Sequence, residues 1–180
     1  MADEDRRHAF EALLQTHGRI VFKVAAIYAR GQEDRRDLGQ EIALQLWRSF
    51  GSYDPSRPFS TWMYRVALNV GLSHARRERE RPCPLDEKLI DTLGGGTPID
   101  EPDERLGALA RAIESLGPLE RALILLYLDE LSHAEIGAVL GMSESNVGTR
   151  IARLKQRLRR NITDETITHT QRRTPWNSTT

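Results

Sequence analysis

SHAEIGAVLGMSESNVGTRIARLKQRLRR, Ser132 to Arg160, is the stretch on which the reading of the chain turns. Ser132 is followed three residues later by Glu135, so a hydroxyl and a carboxylate are spaced to satisfy exposed amides at a helix start. Ile136, Val139 and Leu140 supply one apolar face, and Gly141 ends the helix where a left-handed residue costs least. Ser143 can cap a second helix, whose apolar positions Val147, Ile151, Leu154 and Leu158 recur at three- and four-residue steps. The remaining surface of that helix carries Asn146, Thr149, Arg150, Arg153, Arg157, Arg159 and Arg160, with Lys155 as a further cation. The pattern predicts a helix-turn-helix whose second helix offers short polar and Arg side chains to a DNA major groove. A plainly solvated basic face is the alternative for the second helix alone. Capping box, short turn and Arg-rich helix in one stretch favour DNA.

The formal net charge of the whole chain is zero, which at first argues against nucleic acid. The charge is unevenly placed, however. Glu144 to Arg160 holds six basic residues and one acidic, whereas Asp86 to Glu104 holds seven acidic residues and only Lys88 as a base. DNA meets the local field, so the total decides little. A length of 180 residues suits one ordinary domain or two small ones, and 29% charged residues suits a soluble helical chain. The single cysteine, Cys83 between Pro82 and Pro84, excludes an internal disulfide and zinc-finger spacing. The longest apolar run, Ala122 to Leu128, is too short to insert in a membrane, and MADEDRRHAF lacks a signal-peptide core. A cytoplasmic location is expected. The histidines His8, His17, His74, His133 and His169 form no metal-ligand spacing, and no Gly-rich phosphate loop or nucleophile elbow appears. Neither enzymatic activity nor a metal or cofactor is expected.

Upstream, Leu13, Leu14, Ile20, Val21, Val24 and Tyr28 keep a helical period with a bend near Gly18. A second helix is expected from about Asp34 to Phe50, burying Leu38, Ile42, Leu46 and Phe50 and exposing Asp37, Gln40, Glu41 and Gln45. GSYDPSRP is a loop rich in turn residues. A third helix opens at Phe59, with Trp62, Met63, Val66 and Val70 as core and Arg65, Asn69, Ser73 and Arg76 as a polar stripe. Tyr53, Phe59, Trp62, Tyr64, Arg65, Arg76 and Arg77 crowd aromatic and basic groups together, as stacking and phosphate contact on unpaired DNA require. The same aromatics also suit the core of a helical bundle. Residues 82–104, with Pro82, Pro84, Pro98, Pro102, Gly94 to Gly96 and many acids, read as a flexible linker. A helix near Asp103 to Leu116 stops at Gly117-Pro118, Leu119 to Leu128 packs the second half, and a Thr-rich disordered tail is expected over 163–180. The expectation is an all-α chain of two small helical domains, 1–81 and 105–162.

Three segments in this order resemble the extracytoplasmic-function group of bacterial RNA polymerase sigma factors. They are DLGQEIALQLWRSF (Asp37 to Phe50), FSTWMYRVALNVGLSHARR (Phe59 to Arg77) and ESLGPLERALILLYLDELSHAEIGAVLGMSESNVGTRIARLKQRLR (Glu114 to Arg159), and the likeness spans nearly all of residues 9 to 160. The resemblance implies that residues 1–81 are sigma region 2 and residues 105–162 sigma region 4. It implies as partners core RNA polymerase, through its β′ clamp helices and β flap, and promoter DNA, with an anti-sigma factor as regulator. Asp37, Gln40, Glu41 and Trp47 would then face the polymerase. Arg65, Asn69, Arg76, Arg77 and the Tyr53 to Arg57 loop would hold the melted −10 strand, where a base must leave the stack to be read. Asn146, Thr149, Arg150, Arg153 and Arg157 would meet the −35 duplex, and the acidic linker would mimic nucleic acid in the polymerase channel. Many members carry a basic residue where this chain has Gly148, so their −35 sequence does not transfer. Gly39 likewise stands in place of the common Val or Ala. A free-standing helix-turn-helix regulator binding operator DNA is the alternative, and it would need a dimerisation or ligand domain within residues 1–81.

Overall fold

Residues 2–80, 112–113 and 115–172 are described by the computed structural model, with side chains over 4–79, 112–113 and 115–160. The expected linker, Cys83 and most of the helix expected near Asp103 to Leu116 lie outside these residues. α1 (Ala2–His17) and α2 (Arg19–Tyr28) meet at Gly18, where a Cβ would stand 2.7 Å from the Leu14 carbonyl oxygen. The helix is interrupted at this one residue, which keeps a helical conformation (φ −57°, ψ −23°).

α3 (Gly31–Ser49) starts three residues earlier than the spacing predicts, because the Asp34 carboxylate accepts the Arg30 amide at 2.7 Å and caps its first turn. Leu38, Ile42 and Leu46 are buried to within 1% exposure, and a 3-10 turn, Phe50–Ser52, follows. The polar residues Asp37, Gln40, Glu41 and Gln45 all remain exposed. α4 (Phe59–Glu80) packs on both α2 and α3 to close a three-helix core. Its buried face is Met63, Tyr64, Ala67, Leu68 and Gly71, turned from the expected Trp62, Met63, Val66 and Val70, of which only Met63 is fully buried. The rotation follows from Gly71, where a Cβ would lie 2.4 Å from the ring of Tyr28. Only a glycine lets α2 and α4 approach so closely, and the approach draws the Gly71 side of α4 inward. The stripe of Arg65, Asn69, Ser73 and Arg76 is exposed, as expected.

α5 (Pro118–Leu128), α6 (His133–Leu140) and α7 (Glu144–Arg172) form the second half. Pro118 occupies the first position of α5, where its missing N–H costs nothing. The capping box of α6 has the anticipated form: Ser132 Oγ accepts the Glu135 amide at 3.2 Å, and the Ser132 amide donates to Glu135 Oε2 at 2.8 Å. Gly141 closes α6 with φ +69°, and the Ser143 hydroxyl accepts the Asn146 amide at 3.3 Å. Ile136, Val147, Ile151, Leu154 and Leu158 pack beneath α5, around Leu123 and Leu126. α7 does not end near Arg160. It continues to Arg172, so the disordered tail expected from 163 is corrected to helix for residues 163–172. The Thr-rich composition lowered the helical expectation there, but a helix already nucleated adds each further residue at small cost. Residues 173–180 lie outside the described part.

The two halves share one apolar cluster, with α4 against α5 and α6 and α2 against α5. Polar bonds cross this seam. Tyr28 Oη donates to the Pro118 carbonyl at 2.8 Å, and Arg121 Nη1 donates to the Ile27 carbonyl at 2.9 Å. Asp129 receives both Lys23 Nζ and the Tyr64 hydroxyl.

Candidate nucleic-acid and polymerase-binding surfaces

α7 presents its sequence-predicted contact residues from one exposed side. Asn146, Thr149, Arg150 and Arg153 are all exposed, while Val147, Ile151 and Leu154 between them are buried. The Arg150 Nε donates to Asn146 Oδ1 at 3.0 Å, one turn apart, so each side chain limits the other's rotamers. The Thr149 hydroxyl donates back to the Ser145 carbonyl at 3.0 Å, which leaves its methyl outward. The helix thus offers an amide, a methyl and guanidinium groups, the groups that read base edges and thymine methyls in a major groove.

Arg157, expected on the DNA side, lies one turn beyond Arg153 on the same side of α7 and is partly exposed and paired. Its two terminal nitrogens grip both oxygens of Glu120 on α5, at 2.9 and 2.6 Å. Glu120 also accepts the Gly117 amide at 2.9 Å. The Arg157 guanidinium, then that amide, hold the Glu120 carboxyl below its ordinary value despite partial burial. Arg157 therefore fastens α7 to α5, and Glu120 was not singled out because its partner is 37 residues distant.

In the first half the loop after α3 is built on a cluster of rings. Phe50 sits edge-on to Phe10 at 5.1 Å and to Trp62 at 6.2 Å, and stacks with Tyr53 at 6.1 Å. Tyr53 packs against Phe59 at 5.2 Å and Trp62 at 5.5 Å, and its hydroxyl donates to the Arg57 carbonyl at 2.9 Å. The loop is turned by Asp54, whose carboxylate accepts the Ser56 amide at 2.9 Å and is held below its ordinary pKa by that bond. Tyr53 is half-buried, so it serves the bundle with one edge and faces the loop with the other. Phe10 and Arg6 on α1 were missed as parts of this cluster. Arg6 lies 5.1 Å over the Trp47 ring and donates to the Trp47 carbonyl, a contact that no local spacing announces.

Trp47 itself is half-buried, with its ring 5.3 Å from that of Phe10 and Arg6 over its face. Asp37, Gln40 and Glu41 occupy one exposed side of α3, and Arg65, Asn69 and Arg76 one exposed side of α4. Arg77 joins the two surfaces: its Nη2 donates to both Glu41 oxygens at 3.0 Å. A residue expected on DNA is thus paired with one expected on polymerase. Both are exposed, so the pair is readily exchanged for other partners.

The fold and these surfaces define a class: a helix-turn-helix protein with a basic second helix, whose α5 and α6 pack on a ring-rich helical module. The sequence matches the family models "Sigma-70 region 2" over residues 13–81 and "Sigma-70, region 4" over residues 106–158. It is 35% identical to the ECF RNA polymerase sigma factor SigE of Mycolicibacterium smegmatis, covering 87% of this chain and 63% of SigE. It is 31% identical to the RNA polymerase sigma factor CnrH of Cupriavidus metallidurans, over 87% of this chain and 88% of CnrH. Two solved structures share the fold. CnrH in complex with the cytosolic domain of CnrY aligns with a TM-score of 0.64 at 23% identity, over 88% of this chain and 90% of that one. The sigma factor RpoE of Bartonella quintana, in complex with the anti-sigma factor NepR, aligns with a TM-score of 0.64 at 19% identity, over 86% and 97%. This chain belongs to the extracytoplasmic-function sigma factors of the sigma-70 family.

Proposed function

We propose that this chain is a dissociable initiation subunit that binds core RNA polymerase and confers promoter specificity on it. The observation that carries the reading is the match of both sigma-70 regions, in order, to the two halves that hold the exposed faces of α3, α4 and α7. Asp37, Gln40 and Glu41, with the half-buried Trp47 further along α3, face the polymerase. Arg65, Asn69 and Arg76, along the exposed side of α4, and the Tyr53 loop before it receive the melted −10 strand. The ring cluster gives a displaced base an aromatic surface to stack on, and the arginines neutralise its phosphates. Asn146, Thr149, Arg150 and Arg153 read the −35 duplex. The work is binding alone, and it weakens with salt wherever Arg meets phosphate. CnrH was captured with the cytosolic domain of CnrY and RpoE with the anti-sigma factor NepR, which supports control of this chain by an anti-sigma factor.

The test is transcription by core polymerase on a genomic-fragment library, with and without the chain, followed by mapping of new 5′ ends. New starts preceded by a two-part motif at one spacing are expected. Duplex binding with no new starts would instead indicate an operator-binding regulator.

A further inference from the structure

His133 and Gly148, far apart in sequence, meet where the two helices of the helix-turn-helix join. A Cβ built at Gly148 would lie 3.4 Å from Nδ1 and 3.6 Å from Cε1 of His133, so the imidazole rests against the backbone of α7. A Cβ at 148 would be in ordinary van der Waals contact with the ring, which therefore lies beside that position of α7. His133 is nonetheless exposed, and among the described residues no hydrogen bond or ion pair engages it. On α7, Gly148 lies between buried Val147 and exposed Thr149, on the flank of the reading face. On α6, successive residues turn by about 100°, which sets His133 and Glu135 about 200° apart. The Glu135 carboxylate is tied back to Ser132 on the opposite flank, so it does not screen the imidazole from an anion.

We propose that His133 donates a hydrogen bond to a DNA phosphate at the rim of the major groove that α7 enters. The proposal rests on the reading of α7 as the −35-reading helix. In a helix-turn-helix the first helix crosses the sugar–phosphate backbone while the second enters the groove. A donor on the first helix, held against the flank of the second, meets the backbone rather than a base edge, and such a contact sets register without reading sequence. The chain thereby places a hydrogen-bond donor on α6 beside a position of α7 that has no side chain to offer.

The full-length chain is titrated by fluorescence anisotropy against a pool of mixed-sequence 30-bp duplexes, between about 50 and 200 mM salt. His133→Phe keeps the flat ring against Gly148 but has no donor. It is expected to melt with the wild type and to bind duplex about three- to tenfold more weakly, uniformly across the pool. His133→Lys sets a full positive charge against the same phosphate and is expected to steepen the logarithmic salt dependence by about 0.9. Wild-type affinity and salt dependence in both variants would overturn the proposal while leaving α7 as the reading helix. A loss confined to particular sequences of the pool would also overturn it, in favour of a base contact. Failure of the wild-type chain to bind duplex at all would overturn the assignment of α7 itself.

Discussion

Arg153 and Arg157 stand one turn apart on α7 and do different work. Arg153 is exposed, while Arg157 forms a two-pronged pair with Glu120. Arg153→Ala is expected to weaken −35 duplex binding, lowering the logarithmic salt slope by about 0.9, with an unchanged melting temperature and unchanged core-polymerase association. Arg157→Ala is expected to cost about 1 kcal/mol of fold stability, near the upper end for a partly exposed pair. That corresponds to a Tm lower by roughly 2–4 °C, read by thermal denaturation. The same pair sets a pH dependence. Glu120 titrates below its ordinary value of 4.5 in the folded chain, so its contribution is complete above that pH and fades as pH falls through the lowered value. Glu120→Gln should therefore flatten the acid limb of a plot of Tm against pH, and an unaltered limb would show that the pair contributes nothing.

At the scale of the elements, the helices are held at distances that single residues enforce. The Tyr28 ring is boxed in: it is buried, its hydroxyl is bonded to Pro118, and Gly71 presses on it from α4. Gly71→Ala forces either the ring or the helix to move, an overpacking cost of about 1–3 kcal/mol that exceeds any gain in helix propensity. Thermal melting is expected to show a clearly lowered Tm, and an unchanged Tm would mean that α2 and α4 slide apart freely. These distances were only partly legible beforehand. The caps at Ser132 and Ser143, the stripe of Leu38, Ile42 and Leu46 and the stop at Gly141 depend on neighbours within a turn, and periodicity displays such neighbours. The rotation of α4 away from Trp62, Val66 and Val70 depends on Tyr28, more than forty residues earlier, and no local pattern carries it.

For the whole molecule, the seam between the halves is the deciding feature. The two halves are closed on one another along it, with α4 against α5 and α6 and α2 against α5. Asp129 joins three elements across the seam by accepting Lys23 and Tyr64. Burial, then the Asp129 carboxylate, raises the Tyr64 phenol well above its ordinary pKa, so Tyr64 stays a neutral donor. Asp129→Ala leaves that buried hydroxyl unpaired, at a cost of about 1–3 kcal/mol to the closed form. Amide exchange is expected to rise along α5 and across the seam while the centre of α3 stays protected, with a larger radius of gyration by X-ray scattering. No change in either measurement would mean that apolar contact alone holds the halves together.

The sequence by itself determined the all-helical class, the helix-turn-helix with its caps, and the exposed faces of α3, α4 and α7. Hydrophobic period, turn residues and capping groups act over three to eight residues and are written in order along the chain. Tertiary structure alone decided that Arg157 pairs with Glu120 on α5, that Arg77 pairs with Glu41, that Arg6 and Phe10 pack on Trp47, and that His133 lies beside Gly148. Each of these joins residues on different helices, and such a meeting is set by how the helices pack, which no local spacing encodes.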